Sequence, residues 1–400
     1  MSVPSNAHTP RLGSLFGAIT SAMQPARMPL AFLLALLVPV LASLVDRLDG
    51  GRPVAMQPDG WIAIDSDRLF ASFPQTMSAS APRGVFDDQG IERPKGVGTA
   101  FLAECRLSLR QAAVALVRLD AKLALQSLRG ALIDAPARAV RAAPLASTAA
   151  LLVGLAASSV VAGGLCRMAA VHAGRRARLT VLEGAAYARE RALRLAALPV
   201  LPAMVVALLA LPILLFAVLL RVPALDILAG ALFVVPVLVA LLGAILAAVS
   251  VAAFPLMPAA VAVEDCDSGD AITRAASLAL SRPLLWLSIL GVGAVTMFLG
   301  GAIVSAVIGL AGWALSELLV AAGGDFGKLL ATGTTAQLES LEGTRSIAAT
   351  ALDLWAGLFR LLCGAYLVSL FFDLSTRAYL LMRARIDGEP PATVSGYGVG

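Results

Sequence analysis

The sequence predicts an all-α fold: a polytopic transmembrane helical bundle of about six spans, with a long amphipathic helix in its first loop. Three observations predict it. Of 400 residues, 59% are hydrophobic and only 14% charged, where a soluble domain carries roughly 25% charge to cover its surface. The mean hydropathy is +0.85. Six apolar runs approach or exceed the ~20 residues that cross a bilayer as a helix.

The runs follow one another along the chain. Met28–Val45 follows Arg11 and Arg27 and ends at Asp46-Arg47. Its long leader and poor cleavage site favour an uncleaved anchor over a signal peptide. Leu145–Val171 is the second run, and Leu195–Leu220, with Pro199, Pro202 and Pro212, is the third. Ile227–Val263 is the fourth, where Pro255 and Pro258 predict a kink or an end. Leu284–Val320 is the fifth and Ile347–Phe372 the sixth. A bend at Gly300-Gly301 would turn the fifth run into a hairpin and give seven spans.

Charge decides between the two counts. The segment 173–194 holds Arg175, Arg176, Arg178, Arg189, Arg191 and Arg194, and the tail holds Arg377, Arg383 and Arg385. The loop Ala321–Ser346 holds only Lys328 and Arg345. The positive-inside rule then predicts six spans, with both termini cytoplasmic in a bacterial inner membrane. The 46–144 segment carries thirteen Lys and Arg, but it exceeds the length over which the rule counts charge. The predicted organisation is a cytoplasmic tail over 1–27, a first span over 28–45 and an irregular linker over 46–98. An amphipathic helix over 99–143, a five-span domain over 145–372 and a cytoplasmic tail over 373–400 follow. One short strand is expected at Trp61–Ile64.

Within 99–134, Leu102, Leu109, Leu116 and Leu123 recur every seven residues, with Cys105, Ala112 and Leu119 between them. This is a heptad seam of about three repeats. Arg106, Arg110, Arg118 and Lys122 occupy the opposite face. Three readings follow: a contact with a partner chain or a second copy, a helix on the membrane surface, or packing on the chain's own bundle. Val181–Arg194 also reads as a helix. In the loop Asp265–Pro283, Ser268 or Asp270 is expected to cap a helix over Ala271–Ser281, and Pro283 to open the next span.

Catalytic and cofactor signatures are missing. Gly327-Lys328 lacks the first glycine and the hydroxyl residue of a P-loop. Cys105, Cys166, Cys266 and Cys363 share no close spacing, and His8 and His172 lie far apart, so no disulfide framework, metal or cofactor is expected. No basic cluster is interleaved with aromatics, so nucleic acid is not an expected partner; the lipid bilayer is. The slot that an EF-hand needs for Glu is Ala276, so Asp265, Asp267 and Asp270 read as capping and solvated groups. Two sets of polar residues remain as candidate sites. Arg360, with Asp353 two turns earlier and Glu317 in the fifth run, sits in apolar sequence, where a charge costs at least ~2.5 kcal/mol. Glu264, Asp267, Asp270, Arg274 and Arg282 form the second set, in the loop. Gly301, Ser305 and Gly309, like Gly154, Ser158 and Ala162, mark faces for close helix packing.

The run Glu264-Asp265-Cys266-Asp267-Ser268-Gly269-Asp270-Ala271-Ile272-Thr273-Arg274, followed by Ser281-Arg282-Pro283, resembles a signature of an uncharacterised family of bacterial multi-span membrane proteins. In that family E-x-x-D-x-x-D-A-x-[ST]-R precedes an R-P that opens a span. Phe371-Phe372-Asp373-Leu374-Ser375-Thr376-Arg377-Ala378-Tyr379-Leu380-Leu381 resembles the family's ending. The likeness covers about 145–390. Where members carry tyrosines after the Arg, this chain has Ala276, Leu278 and Leu280. The layout is also similar to the membrane domains of some glycerophosphodiester phosphodiesterases, without their catalytic domain. The resemblance implies a helical membrane fold and no substrate. The functional expectation is a non-enzymatic assembly or envelope-organising module. The alternatives are a transporter or channel subunit with a polar site around Arg360, and a lipid-handling protein.

Overall fold

A computed structural model describes residues 12–50, 54–57, 60–63, 96–118, 120–175, 177–221, 227, 230–332, 342–389 and 394. Among these, six helical stretches are long and apolar enough to cross a membrane: Met28–Leu48, Pro144–Gly174, Ala192–Leu219, Val234–Glu264, Pro283–Ala322 and Thr344–Ile386. The chain is a multi-pass α-helical membrane protein. His8, Arg11, Arg176 and most of the 46–98 linker lie outside the described residues, as do the side chains of Arg110, Leu116, Leu119, Arg175 and Asp353.

The elements in order are α1 (Leu12–Ser21), α2 (Met28–Leu48), β1 (Val54–Gln57), β2 (Gly60–Ala63), α3 (Val97–Val117) and α4 (Ala121–Arg129). A π-turn over Gly130–Asp134 leads into α5 (Ala135–Ala142), α6 (Pro144–Arg175), α7 (Val181–Glu190), α8 (Ala192–Leu219) and α9 (Val234–Ala253). A 3-10 turn at Phe254–Leu256 precedes α10 (Met257–Glu264), α11 (Ser268–Ser281), α12 (Pro283–Ala322), α13 (Gly324–Thr332) and α14 (Thr344–Ile386). The two strands pair antiparallel, with Val54 opposite Ala63; the strand expected at Trp61–Ile64 lies one residue earlier.

The chain divides into two units that interleave in sequence. Unit 1 holds Met1–Ala31, Leu155–Met297 and Val368–Gly400, and unit 2 holds Phe32–Gly154 and Phe298–Leu367.

Local chemistry sets the element ends. Thr180 and Glu183 form a reciprocal capping box that starts α7: the Glu183 N–H donates to Thr180 Oγ1 (3.3 Å) and the Thr180 N–H to Glu183 Oε2 (2.7 Å). Pro144 and Pro283 each open a span, where a missing N–H costs nothing. The kink expected at Pro255 is the 3-10 turn. α8 runs unbroken through its three prolines. α12 is one continuous helix of 40 residues that runs through Gly300-Gly301 without a turn, so the hairpin of the seven-span alternative does not form. At ~1.5 Å per residue it outreaches the hydrocarbon, as does α14 with 43 residues.

Three expectations need correction. Residues 12–27 and 373–386 were expected as tails; instead α1 is docked, with Leu15, Ala18 and Ala22 buried, and the last span continues helical to Ile386. α11 starts at Ser268, one turn before the expected start, with Asp267 as its N-cap and no capping side-chain bond. The Asp267 carboxylate faces Arg194 instead, at 3.1 Å.

The third correction concerns the heptad helix. It breaks at Arg118–Asp120, where Asp120 Oδ1 accepts the Leu123 N–H at 3.0 Å and caps α4. The chain folds back, and α3 packs antiparallel to α4 and α5. The seam is built from Glu104, Ser108, Ala112 and Ala115 on one side and Ala124, Ser127, Ala131, Ala135 and Ala139 on the other. Small residues let the two backbones approach, and Arg138 neutralises buried Glu104 across the seam. The heptad leucines Leu109 and Leu123 face outward. At the base of this hairpin Val45, Val97, Ala139 and Ala143 form a buried cluster, against which Phe101, Ala146 and Ala150 pack. The Asp46 carboxylate accepts the Gly98 N–H (2.6 Å) and the Thr99 N–H (3.3 Å), placing an anion at the positive end of α3.

Gly98 crosses α2 at backbone contact: a Cβ there would lie on the Ala42 carbonyl and 2.8 Å from Ala42 Cα. Gly98→Ala is expected to cost ~1–3 kcal/mol by overpacking, measured as a lowered Tm in detergent. Gly309→Ala, with nothing within 4 Å of the new methyl, leaves Tm unchanged or raises it.

Candidate functional site

The candidate site is a belt of ionisable side chains in unit 1, centred on α10. All of Met257–Val263 is buried, so the last carbonyls of this helix end away from water. An α-helix leaves four C-terminal carbonyls without intrahelical donors. Here Tyr187 Oη donates to the Val261 carbonyl at 2.8 Å, and Arg167 Nη1 donates to the Ala262 carbonyl at 2.8 Å. Asp265 follows in the left-handed region, at φ 54°, and its N–H returns to Val261 O at 2.9 Å. Aspartate tolerates this conformation better than most residues.

Around this end the charges pair. Arg191 makes a bidentate contact with Asp265, through Nε to Oδ1 and through Nη2 to Oδ2 at 2.7 Å. The Tyr187 ring lies between two guanidiniums, with Arg191 4.2 Å and Arg167 5.0 Å from its centroid. Burial raises the Tyr187 phenol pKa well above its ordinary value, so the phenol remains a donor. Glu264 accepts from Tyr379 Oη and faces Arg274 Nε and Arg383 Nε, each at 3.5 Å. Arg274 also reaches Asp387 at 2.7 Å, and Arg383 pairs with Glu389. Cys266 lies beside this group; burial, then the Glu264 charge, pushes its thiol up to about 11, which leaves it a poor nucleophile at neutral pH.

The belt continues to the start of α2. Arg27 and Asp373 are each 1% exposed and form an ion pair. Arg27 also donates Nη1 to Ser21 O (3.4 Å) and Nη2 to Met168 O (3.3 Å). The second Asp373 oxygen accepts from Ser21 Oγ (2.6 Å) and Arg377 Nε (2.7 Å). Arg377 in turn donates to Ser14 O (3.0 Å) and Ser21 Oγ (2.9 Å), and Ser369 Oγ to Ala22 O (2.9 Å). One carboxylate thus serves two guanidiniums and fixes α1 to α14.

The residues expected from sequence are partly gathered here. Glu264 and Arg274 meet. Asp267, Asp270 and Arg282 are exposed and join neither of them. In unit 2, Arg360 is exposed on α14 and donates Nε to Ala356 O of its own helix at 3.3 Å. Glu317 is exposed on α12. Nothing in the sequence marks Arg27, Arg167, Tyr187, Arg191, Asp265, Asp373, Tyr379 and Arg383 as one site. The i, i+4 spacing of Asp373 and Arg377 is a sequence signal that fits their pair. Among the described residues no group of three or more His, Cys, Asp and Glu gathers with metal-ligand geometry.

Two outcomes follow. Asp373→Asn leaves two guanidiniums without their anion, one of them fully buried, and is expected to cost about 3–5 kcal/mol, read from denaturant unfolding in detergent. The Arg191 guanidinium holds the Asp265 carboxyl below its ordinary 3.8. A depressed folded value stabilises the protein above the unfolded value, and that stabilisation is lost as pH falls through the folded one. Tm of the parent chain should therefore fall on acidification below about pH 4, and Asp265→Asn, which keeps the backbone conformation, should flatten that limb.

The chain matches no family model, no curated protein and no solved structure.

Proposed function

We propose that this protein is a non-enzymatic module of a bacterial inner membrane that assembles with other membrane proteins, with both termini cytoplasmic. The arginine-rich segment 173–194 and the arginines of the last helix support that orientation through the positive-inside rule. The likeness of 264–283 and 371–381 to a family of bacterial membrane proteins supports the compartment.

The observation that carries the reading is how unit 1 deploys its polar and apolar surfaces. The belt uses its carboxylates and guanidiniums on one another, which makes it a clamp for helix ends. From that clamp α8 and α9 extend as a packed pair, and no residue of α8 beyond Leu198 is buried. α9 buries only Pro236, Gly243 and Ala253. An ion-paired base holding an uncovered two-helix arm suits docking beside another membrane helix, where van der Waals packing drives association.

A photo-cross-linking residue placed at Leu208 or Leu241, both exposed, tests this in native membranes. The expected result is one discrete protein adduct shared by both positions. Lipid adducts alone, with a monomeric purified protein that retains a small molecule or lipid, would overturn it in favour of transport or lipid handling.

A further inference from the structure

The α3–α4 hairpin of unit 2 has its surfaces arranged in an unusual way. Two amphipathic helices in water would bury their leucines against each other. Here the seam is alanine, serine and one ion pair, and the described leucines lie outside it. Leu125, Leu128 and Leu132 are 68%, 36% and 64% exposed. Their i, i+3, i+7 spacing makes a stripe about a quarter turn from the seam residues Ala124, Ser127 and Ala131. On α3, Leu102 and Leu109 lie a quarter turn from Glu104, Ser108 and Ala112 in the same rotational sense. Because the helices are antiparallel, the two stripes emerge on the same face of the hairpin. Exposed cations flank them: Arg106 on α3, Lys122 and Arg129 on α4.

The base of the hairpin says what lies against that face. Val97 and Gly98 pack on the last turns of α2, and Ala139 and Ala143 meet Ala146 and Ala150 in the first turns of α6. Those turns are the ends of two membrane spans, so both legs of the hairpin begin where hydrocarbon meets headgroups. A leucine face with cationic edges fits that layer, its side chains in the acyl boundary and its guanidiniums at the phosphates. The bilayer is already tethered within reach, so docking needs no encounter with a second molecule.

We propose that the α3–α4 hairpin lies in the interface of the leaflet reached by the C-terminal end of α2, with Leu109, Leu125, Leu128 and Leu132 in the lipid and its basic edges on anionic headgroups. The placement is independent of the assembly role given to α8 and α9.

The test uses the full chain with a photo-reactive residue at Leu125, Leu132 or, as control, the exposed Gln126. Each variant is irradiated in native membranes and after reconstitution into phosphatidylcholine vesicles with or without phosphatidylglycerol. The expected result is lipid adducts at Leu125 and Leu132, roughly tenfold above Gln126. In a Lys122→Glu/Arg129→Glu background the yield should fall in vesicles containing phosphatidylglycerol and not in pure phosphatidylcholine. Both changes are at exposed positions, so a loss of fold, checked by gel filtration, is not expected. Equal adducts at all three positions, no lipid adduct in either membrane, or a protein adduct at Leu125 and Leu132 in native membranes would each overturn the proposal.

Discussion

A helix that ends inside protein must find donors for carbonyls that water would otherwise serve, and α10 ends inside unit 1. That constraint organises its surroundings. Tyr187 from α7 and Arg167 from α6 supply the donors. The left-handed Asp265 closes the turn and draws in Arg191. Glu264, the last helical residue, recruits α11 through Arg274 and α14 through Tyr379 and Arg383. The guanidiniums also face the negative end of the helix dipole, where cations are favoured. Left unpaired, each buried polar group would cost about 1–3 kcal/mol, so the belt is a requirement of the packing as much as an ornament of charge.

Unit 2 meets a different constraint, that of bringing two backbones close. Gly98 removes an atom that would keep α3 off α2, and Asp46 satisfies the helix start that this approach exposes. Alanines then carry the close contact along the hairpin. Glu104 is the one acid in that seam, and Arg138 is placed to neutralise it. Cys105, beside it, has its thiol pushed up to about 11 by burial and then by the Glu104 charge, consistent with a packed rather than a reactive thiol.

The spans were legible because apolar run length is a one-dimensional property, readable without knowing what packs on what. Pro283 and Pro255 were legible for the same reason, since their effect is local. The belt was not legible. Arg27, Arg191 and Arg383 sit at span ends, where arginine is expected for orientation alone, and nothing in one dimension distinguishes an orienting arginine from one sealed against a carboxylate. Asp373 lies within a motif beside Arg377, but its other partners, Ser21 and Arg27, are far away in sequence. The heptad left its partner open, because a leucine every seventh residue marks a helical stripe without saying whether that stripe meets protein or lipid. Asp120, an N-cap residue within the run, was the overlooked sign that the helix stops. The Thr180–Glu183 capping box was likewise readable and unread, whereas Asp267, Asp270 and Arg282 carried the right residue types in the wrong places for contact with Glu264.

The ion pair between Arg27 and Asp373 joins residues 346 positions apart. A ribosome adding ~5–20 residues per second makes the first of them tens of seconds before the second. Throughout that interval the arginine at the head of the first span waits without its carboxylate, held by water, headgroups or a chaperone. The Arg27 corner of unit 1 therefore closes only when the last helix arrives, whereas the Arg191–Asp265 pair has both its partners long before. A chain cut short before Asp373 would present an unmatched cation at a place that is sealed in the finished molecule.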